Sequence, residues 1–318
     1  MRPFVGKTER DLASAVAGWA ASLRERIPAA EKAGEIPRDV IRELGRLGVL
    51  GMTVPEPLGG LGASTVAFAL VLEELAAAWP SLAVGVAVNT GIVDGTLVRY
   101  GTAEQRRRWL PRLIDGSGLA AFAVPLDAPG VVVGPAERKL GLKASDTSAL
   151  VLDGVRVGRD AVIGEVGKGF ALALAALDGG RIGIAAQSVG IARAAIALAR
   201  AYAKQRKQFG RPIADFDGVR FPLARSESEV AAARLLALRA AWLKDHGRPF
   251  TREAAMAKLY ASEMAQRATH TAVQTLGGYG YLREYAVERY ARDARATTIY
   301  EGTSEIQRLV IARSLLAA

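Results

Sequence analysis

Apolar residues follow three different patterns along this chain. From residue 1 to 117 they recur at helical spacing in stretches rich in Ala, Leu, Glu and Arg, with breakers at intervals that suit several packed helices. Thr8-x-x-Asp11 and Thr102-x-x-Gln105 have the form of capping boxes, each opening an amphipathic run. Pro37 fits the first turn of a helix whose inner face carries Val40, Ile41, Leu44 and Leu47. The stretch PEPLGGLG, Pro55 to Gly62, breaks the spacing and predicts a loop before a long run through Leu70, Leu72, Glu73 and Glu74.

Between 118 and 165 the pattern changes, since AAFAVPLDAPGVVVG and ALVLDGVRVG are β-branched and punctuated by Gly and Pro. They predict about three or four short strands, a segment so small that it needs helices to lean on. From 166 to 318 long Ala/Leu/Arg runs return, divided by Gly210-Arg211-Pro212, Gly247-Arg248-Pro249 and Gly277-Gly278-Tyr279-Gly280. Runs of such matched length predict an antiparallel bundle. A last helix is expected near Ser304, where Ser304-x-x-Gln307 has capping-box form and Ile306, Leu309 and Val310 supply the apolar side. The prediction is a mainly α chain: an N-terminal helical domain (1–117), a truncated small β insert (118–165) and a C-terminal long four-helix bundle (166–318).

Half of the 318 residues are hydrophobic, enough for two or three domains with real cores, which excludes disorder. Lys and Arg number 42 against 32 Asp and Glu, a net charge of +10, and only nine of the 42 are Lys. Such an Arg excess suits nucleic acid, an anionic membrane, or a phosphate-bearing ligand such as a nucleotide or coenzyme A, and charge alone does not choose. With no Cys there is no disulfide, thiolate metal site or thiol nucleophile. The two histidines, His246 and His270, lack metal-ligand spacing, so no metal site is predicted. The N-terminus has no apolar signal region. Ser81 to Val98 contains Asn89 and Asp94, while Phe170 to Tyr202 contains Asp178, Arg181, Arg193 and Arg200, so neither is expected to span a membrane. A cytoplasmic location is expected.

Several stretches, in order, resemble one family. They are LGVLGMTVPEPLGGLG, RYGTAEQRRRWLPRL, RKLGLKAS, LDGGRIGIAAQSVGIAR, RKQFGRPI, AVQTLGGYGYLREYAVERYARDA and IYEGTSEIQRLVIAR, spanning about Glu31 to Arg313. On these the chain is similar to the acyl-CoA dehydrogenases. The resemblance implies a homodimer or homotetramer with FAD lying between subunits. It implies α,β-dehydrogenation of an acyl-CoA thioester, in which a carboxylate takes the α-proton and the flavin the β-hydride. Electrons then pass to an electron-transfer flavoprotein.

By the same resemblance Glu301, in YEGTSEIQ, is the catalytic base. Proton removal beside a thioester carbonyl needs a carboxylate raised toward the working pH by a dry site. On spacing alone Glu301 also reads as an ordinary helix-entry acid, favoured in its ionised form by the helix dipole, so substrate binding is expected to supply the desolvation. Some relatives place the base just before the Arg of a D-x-x-R run. Here that run is Asp178-Gly179-Gly180-Arg181, and Gly180 cannot be a base. Asp178, Arg181 and Tyr300 are implied at the substrate, although Asp178 and Arg181 at i,i+3 also fit a plain ion pair. For FAD the implied contacts are Arg206, Gln208 and Phe209, then Gln274, Gly277 and Gly278, and finally Thr303 and Glu305. An Arg fork suits a diphosphate, and Gly permits close backbone approach.

The family's T-E-P-x-A-G-S-D-like loop and W-I-T-like strand, which cover the flavin ring, have no counterpart here. Ala120 to Ala123 looks like the strand before that loop, and Val124-Pro125-Leu126-Asp127 like a much later V-P-x-D stretch. The loss leaves two other readings open: a flavin-poor or flavin-free relative doing proton transfer on a thioester or serving as a non-catalytic partner, and a DNA-associated relative of the alkylation-response type.

Overall fold

The structure, a computed structural model, describes residues 4–119 and 129–317. Its N-terminal part contains α1 (Lys7–Ser22), α2 (Ile27–Ala33), α3 (Arg38–Arg46), α4 (Thr65–Ala78), α5 (Pro80–Val86), α6 (Gly95–Tyr100) and α7 (Ala103–Ile114), with a π-helical stretch, Ala87–Asp94, between α5 and α6. On α3 the helical spacing buries Val40, Ile41 and Leu44. Leu47, expected on the same face, is 43% exposed, because the helix ends at Arg46 before another turn can carry it inward.

Only one of the three expected capping boxes forms. Thr102 Oγ1 accepts from Gln105 N at 3.1 Å while Gln105 Oε1 accepts from Thr102 N at 2.9 Å. At the N-terminus α1 already begins at Lys7, so Thr8 lies inside the first turn and caps nothing. Near the C-terminus Thr303, not Ser304, is the cap, its hydroxyl accepting from Ile306 N. That one-residue shift frees Gln307 for another task.

α8 (Gly169–Gln205), α9 (Asp217–Asp245) and α10 (Thr251–Leu276) pack together as the long helices of the bundle, followed by α11 (Val287–Thr297) and α12 (Ser304–Leu316). The breakers sit in the turns, as the sequence predicts. α4 is buried from Thr65 to Ala76 on nearly every side, because α1 covers it on one flank and α8 on another. Glu73, buried on α4, pairs with Arg193 of α8 at 3.1 Å and Arg234 of α9 at 2.7 Å. Asp245, at the end of α9, accepts from the free N–H groups of Thr65 at 2.7 Å and Val66 at 3.0 Å. A carboxylate at a helix N-terminus satisfies orphan donors and complements the dipole. The two helical parts are thus joined through polar groups as well as by a shared core.

The middle segment contributes two strands among the described residues, fewer than expected: β1 (Val131–Ala136) and β2 (Ser148–Leu152). They pair antiparallel, Val131 with Leu152 and Val133 with Leu150, with an irregularity before Ala136. The stretches at Ala120 to Ala123 and Val124 to Asp127 lie outside the described residues. The segment leans on helices as anticipated. Leu142 N donates to Asp293 Oδ1 at 2.6 Å, Lys143 N to Glu31 Oε2 at 3.1 Å, and Gln105 Nε2 to the carbonyls of Asp160 and Val162.

Two helical stretches, Pro80–Tyr100 and Gly169–Gln205, are long and apolar enough to cross a membrane by composition, yet 72% and 78% of their most apolar windows are buried inside the protein. Core packing accounts for their character.

Asp245→Ala should cost about 1–2 kcal/mol through the lost cap of α4. Urea unfolding checks this, and an unchanged midpoint would show that water replaces the carboxylate.

Candidate functional site

Glu301 lies in the turn between α11 and α12. Its φ is +56°, the left-handed region, and that of Gly302 is +88°. A non-glycine residue held there stores strain that its surroundings must offset. Those surroundings are specific. Gln307 Nε2 donates to the carbonyls of Glu301 at 3.1 Å and Gly302 at 2.8 Å, and Lys258 Nζ donates to Gly302 O at 2.7 Å. Ser304 N closes the turn onto Thr298 O at 3.1 Å.

This turn aims the Glu301 carboxylate at α8, where Gly180 leaves room for it. A Cβ at position 180 would lie 2.5 Å from Glu301 Oε2 and 3.2 Å from Ile92 Cδ1. Oε2 is buried, with no hydrogen-bond partner among the described residues. Burial pushes the carboxyl up to about 7, against the opposing pull of Arg181 and then Lys258. The expectation that substrate must supply the desolvation is therefore corrected: the protein's own side chains already dry this oxygen, and the carboxylate turns to Gly180 instead of capping α12.

Asp178 and Arg181 form the i,i+3 pair, with Arg181 Nη1 to Asp178 Oδ1 at 2.5 Å. The pair is more than a surface bridge. Arg181 is 4% exposed, and Asp178 Oδ2 also accepts from Thr251 Oγ1 of α10 at 2.7 Å. Tyr300 donates its hydroxyl to Gln187 Oε1 of α8, and Gln187 Nε2 in turn donates to Pro80 O at 3.0 Å. Burial raises the Tyr300 hydroxyl, keeping it protonated as a donor. Asp178, Arg181, Tyr300 and Glu301 are thus brought against the stretch of α8 from Asp178 to Gln187.

A second group assembles elsewhere. Arg206, Gln208, Gln274, Gly277 and Gly278 line one cavity of about 410 Å³ between the end of α8 and the end of α10. Gly277 has φ +60° and ψ −135°, a conformation open essentially to glycine alone. Built Cβ atoms at Gly277 and Gly278 would meet nothing within 4 Å, so the backbone lies bare beside the cavity. The Arg206 guanidinium stands 6.0 Å from the Tyr279 ring centre. Arg206 and Gln208 arrive on a hairpin, β3 (Lys207–Gln208) and β4 (Arg211–Pro212), whose two central residues, Phe209 and Gly210, both take positive φ.

Three sequence-predicted residues stand apart from this cavity. Phe209, at the hairpin tip, is 92% exposed and rests edge-on against Phe216. Thr303 and Glu305 begin α12, beside the Glu301 turn. Glu305 is drawn below the usual carboxylate range by its own backbone N–H and the Thr303 hydroxyl.

Lys258 and Gln307 are site residues that no motif marks as such. Lys258 is fully buried, one helical turn after Ala254 and one before Ala261, both at zero exposure. A lysine on an alanine face was the available signal.

Residues 6–117 match the acyl-CoA dehydrogenase N-terminal domain and residues 167–316 the acyl-CoA dehydrogenase C-terminal domain. The chain is 38% identical over 347 residues to the mitochondrial short-chain specific acyl-CoA dehydrogenase of Bos taurus, covering 90% of this chain and 84% of that one. The aligned span exceeds the 318 residues of this chain, so the relative carries residues that this chain lacks. Among solved structures, butyryl-CoA dehydrogenase from Megasphaera elsdenii superposes with a TM-score of 0.93 at 32% identity, covering 98% of this chain and 99% of the other. A structure described as an electron transferring flavoprotein of Acidaminococcus fermentans gives 0.94 at 30% identity, covering 99% of both.

Proposed function

The chain belongs to the acyl-CoA dehydrogenase family of oxidoreductases, and we propose that it carries out FAD-dependent α,β-dehydrogenation of an acyl-CoA thioester with Glu301 as the base. One observation carries this reading: a buried carboxylate oxygen without a partner among the described residues, fitted into the space left by Gly180. An unpaired carboxylate near neutrality is poised to accept a proton from carbon, which an ion-paired one is not. Arg181, bonded to Asp178, which Thr251 holds in turn, fixes a positive charge that favours the ionised form of Glu301. Tyr300, tied to Gln187, keeps the turn carrying Glu301 against α8.

The 410 Å³ cavity fits the nucleotide half of FAD. Arg206 offers a fork for a diphosphate, and the bare backbone at Gly277 and Gly278 admits an adenosine at close range. When bound, the flavin supplies the acceptor for the β-hydride. The exposed hairpin tip at Phe209 suits contact with a second copy of the chain, in a homodimer or homotetramer whose Arg206, Gln208 and Phe209 reach a neighbouring subunit's cofactor. Thr303 and Glu305, set beside Glu301 and away from the cavity, fit a contact to a different part of FAD than Arg206 does. The names of the relatives support a short acyl chain, and the Acidaminococcus structure supports an electron-transfer flavoprotein as acceptor.

The visible spectrum of the purified protein, mixed with a panel of acyl-CoA thioesters, tests the reading. A flavin band that bleaches with a short thioester is expected. A colourless protein that does not take up added FAD would overturn it. In the competent enzyme kcat/KM should rise with pH through about 7, because Glu301 is protonated and idle below that value. Glu301→Gln should abolish turnover with FAD content unchanged, and turnover near the parent's would remove Glu301 from the role. Gly180→Ala should lower kcat by roughly tenfold to a hundredfold through displacement of the base, with little change in stability. Arg206→Ala should lower FAD occupancy, measured as the flavin-to-protein absorbance ratio, and unchanged occupancy would place the diphosphate elsewhere.

A further inference from the structure

Lys258 is an anomaly in the bundle. Its side chain has no exposure at all, it sits on the alanine-lined face of α10, and its ammonium group forms no ion pair within 4 Å of any carboxylate among the described residues. Burying an ammonium group is costly unless it gains something specific. What it gains is the carbonyl of Gly302 at 2.7 Å, the residue directly after Glu301.

The position has two consequences. The first is mechanical: Glu301 holds a left-handed backbone that a side-chain-bearing residue resists, and the bonds from Lys258 and Gln307 to the 301–302 carbonyls are what pin it there. The second is electrostatic. The ammonium group lies close enough to favour the charged form of Glu301, yet too far to bond it, so Oε2 stays unpartnered. A direct ion pair would neutralise a base, whereas a cation at one remove biases it toward ionisation and leaves its lone pairs free, and Lys258, lowered by burial to about 8, supplies that cation through neutral pH.

We propose that Lys258 is a positioning residue for α-proton abstraction: through the Gly302 carbonyl it holds the turn that presents Glu301, and its buried charge keeps that carboxylate ready to receive a proton. This rests on the reading of Glu301 as the base. The charged groups facing the pair from each packed element are Arg181 of α8, Glu263 of α10 and Glu305 of α12. Of these only Arg181 shares with Lys258 the effect of holding Glu301 ionised. In the step concerned, the α-carbon's C–H bond breaks and its electron pair remains on the thioester as the enolate. The proton passes to Glu301 and, in heavy water, a deuteron returns.

The test is α-proton exchange on butyryl-CoA in deuterated buffer, followed by mass spectrometry with the FAD-loaded enzyme under anaerobic conditions, from pH 5 to 9, alongside kcat and KM. In the parent, exchange should rise through about pH 7. Lys258→Met should move that rise upward by about one pH unit, which lowers exchange about tenfold on the acid side, with kcat falling much more than KM. Lys258→Gln, which keeps a donor but not the charge, should show the same displacement. Lys258→Arg, which keeps the charge, should return the rise to the parental pH whatever it does to kcat, and it serves as the second probe where the neutral variants do not fold. A rise that stays put in both neutral variants, or that moves equally in Lys258→Arg, would overturn the role given to Lys258. No exchange by the parent at any pH would overturn the reading of Glu301 as the base.

Discussion

The proposed chemistry of this protein depends on a missing Cβ. Gly180 gives α8 a notch, and the Glu301 carboxylate fills it with an oxygen that has no hydrogen-bond partner among the described residues. A dry, unpaired carboxylate is expensive, and the fold sustains it with a left-handed turn, two donors to the turn's carbonyls, and two cations that pull without touching. Remove the notch and the same glutamate has no place against the helix. The strain at residue 301 and the close approach at residue 180 are two sides of one constraint.

The bundle exists, in this view, to hold those two residues in register. α8 and α10 each contribute one partner to the turn, Gly180 and Lys258, and each contributes at its far end to the cavity lined by Arg206 and Gln274. Glu301 and that cavity are therefore fixed relative to one another by the same pair of long helices. The N-terminal helices are clamped to α8 and α9 by Glu73 and Asp245, and they bring the π-helical stretch whose Ile92 lies against the notch. π-helical turns are costly and tend to mark functional positions.

Much of this was legible in the sequence, and the losses have physical causes. Long helices announce themselves by breakers, so Gly210-Arg211-Pro212, Gly247-Arg248-Pro249 and Gly277 to Gly280 divided the bundle correctly. Capping boxes were less reliable: Thr8 and Ser304 carry the right residues, but the helices start two residues and one residue earlier than those caps require, and of the three boxes only Thr102 with Gln105 closes the reciprocal pair. Glu301 stood out through its motif, whereas its environment did not. Spacing could place it near a helix N-terminus and so predict a favoured anion. Only the fold shows that its φ of +56° turns the carboxylate away from that terminus and into the notch. The residues grouped for the cofactor divided in the same way. Arg206, Gln208, Gln274, Gly277 and Gly278 meet in one cavity, while Phe209 points outward and Thr303 and Glu305 stay with the base, a partition that no linear reading could supply.

The central claim is that Glu301 is held near neutrality by a dry environment of the protein's own making, and difference infrared spectroscopy across a pH titration reads this directly. Asp94 and Asp293 are also raised by burial, to about 8 and about 7, so the spectrum of Glu301→Gln must be subtracted to isolate one carboxyl band. The account predicts a protonated-carboxyl stretch, missing from the variant, that disappears with a midpoint near pH 7 in the absence of substrate. A midpoint near the ordinary glutamate value of about 4.3 would contradict it, and would mean that the notch at Gly180 holds a hydrated carboxylate instead.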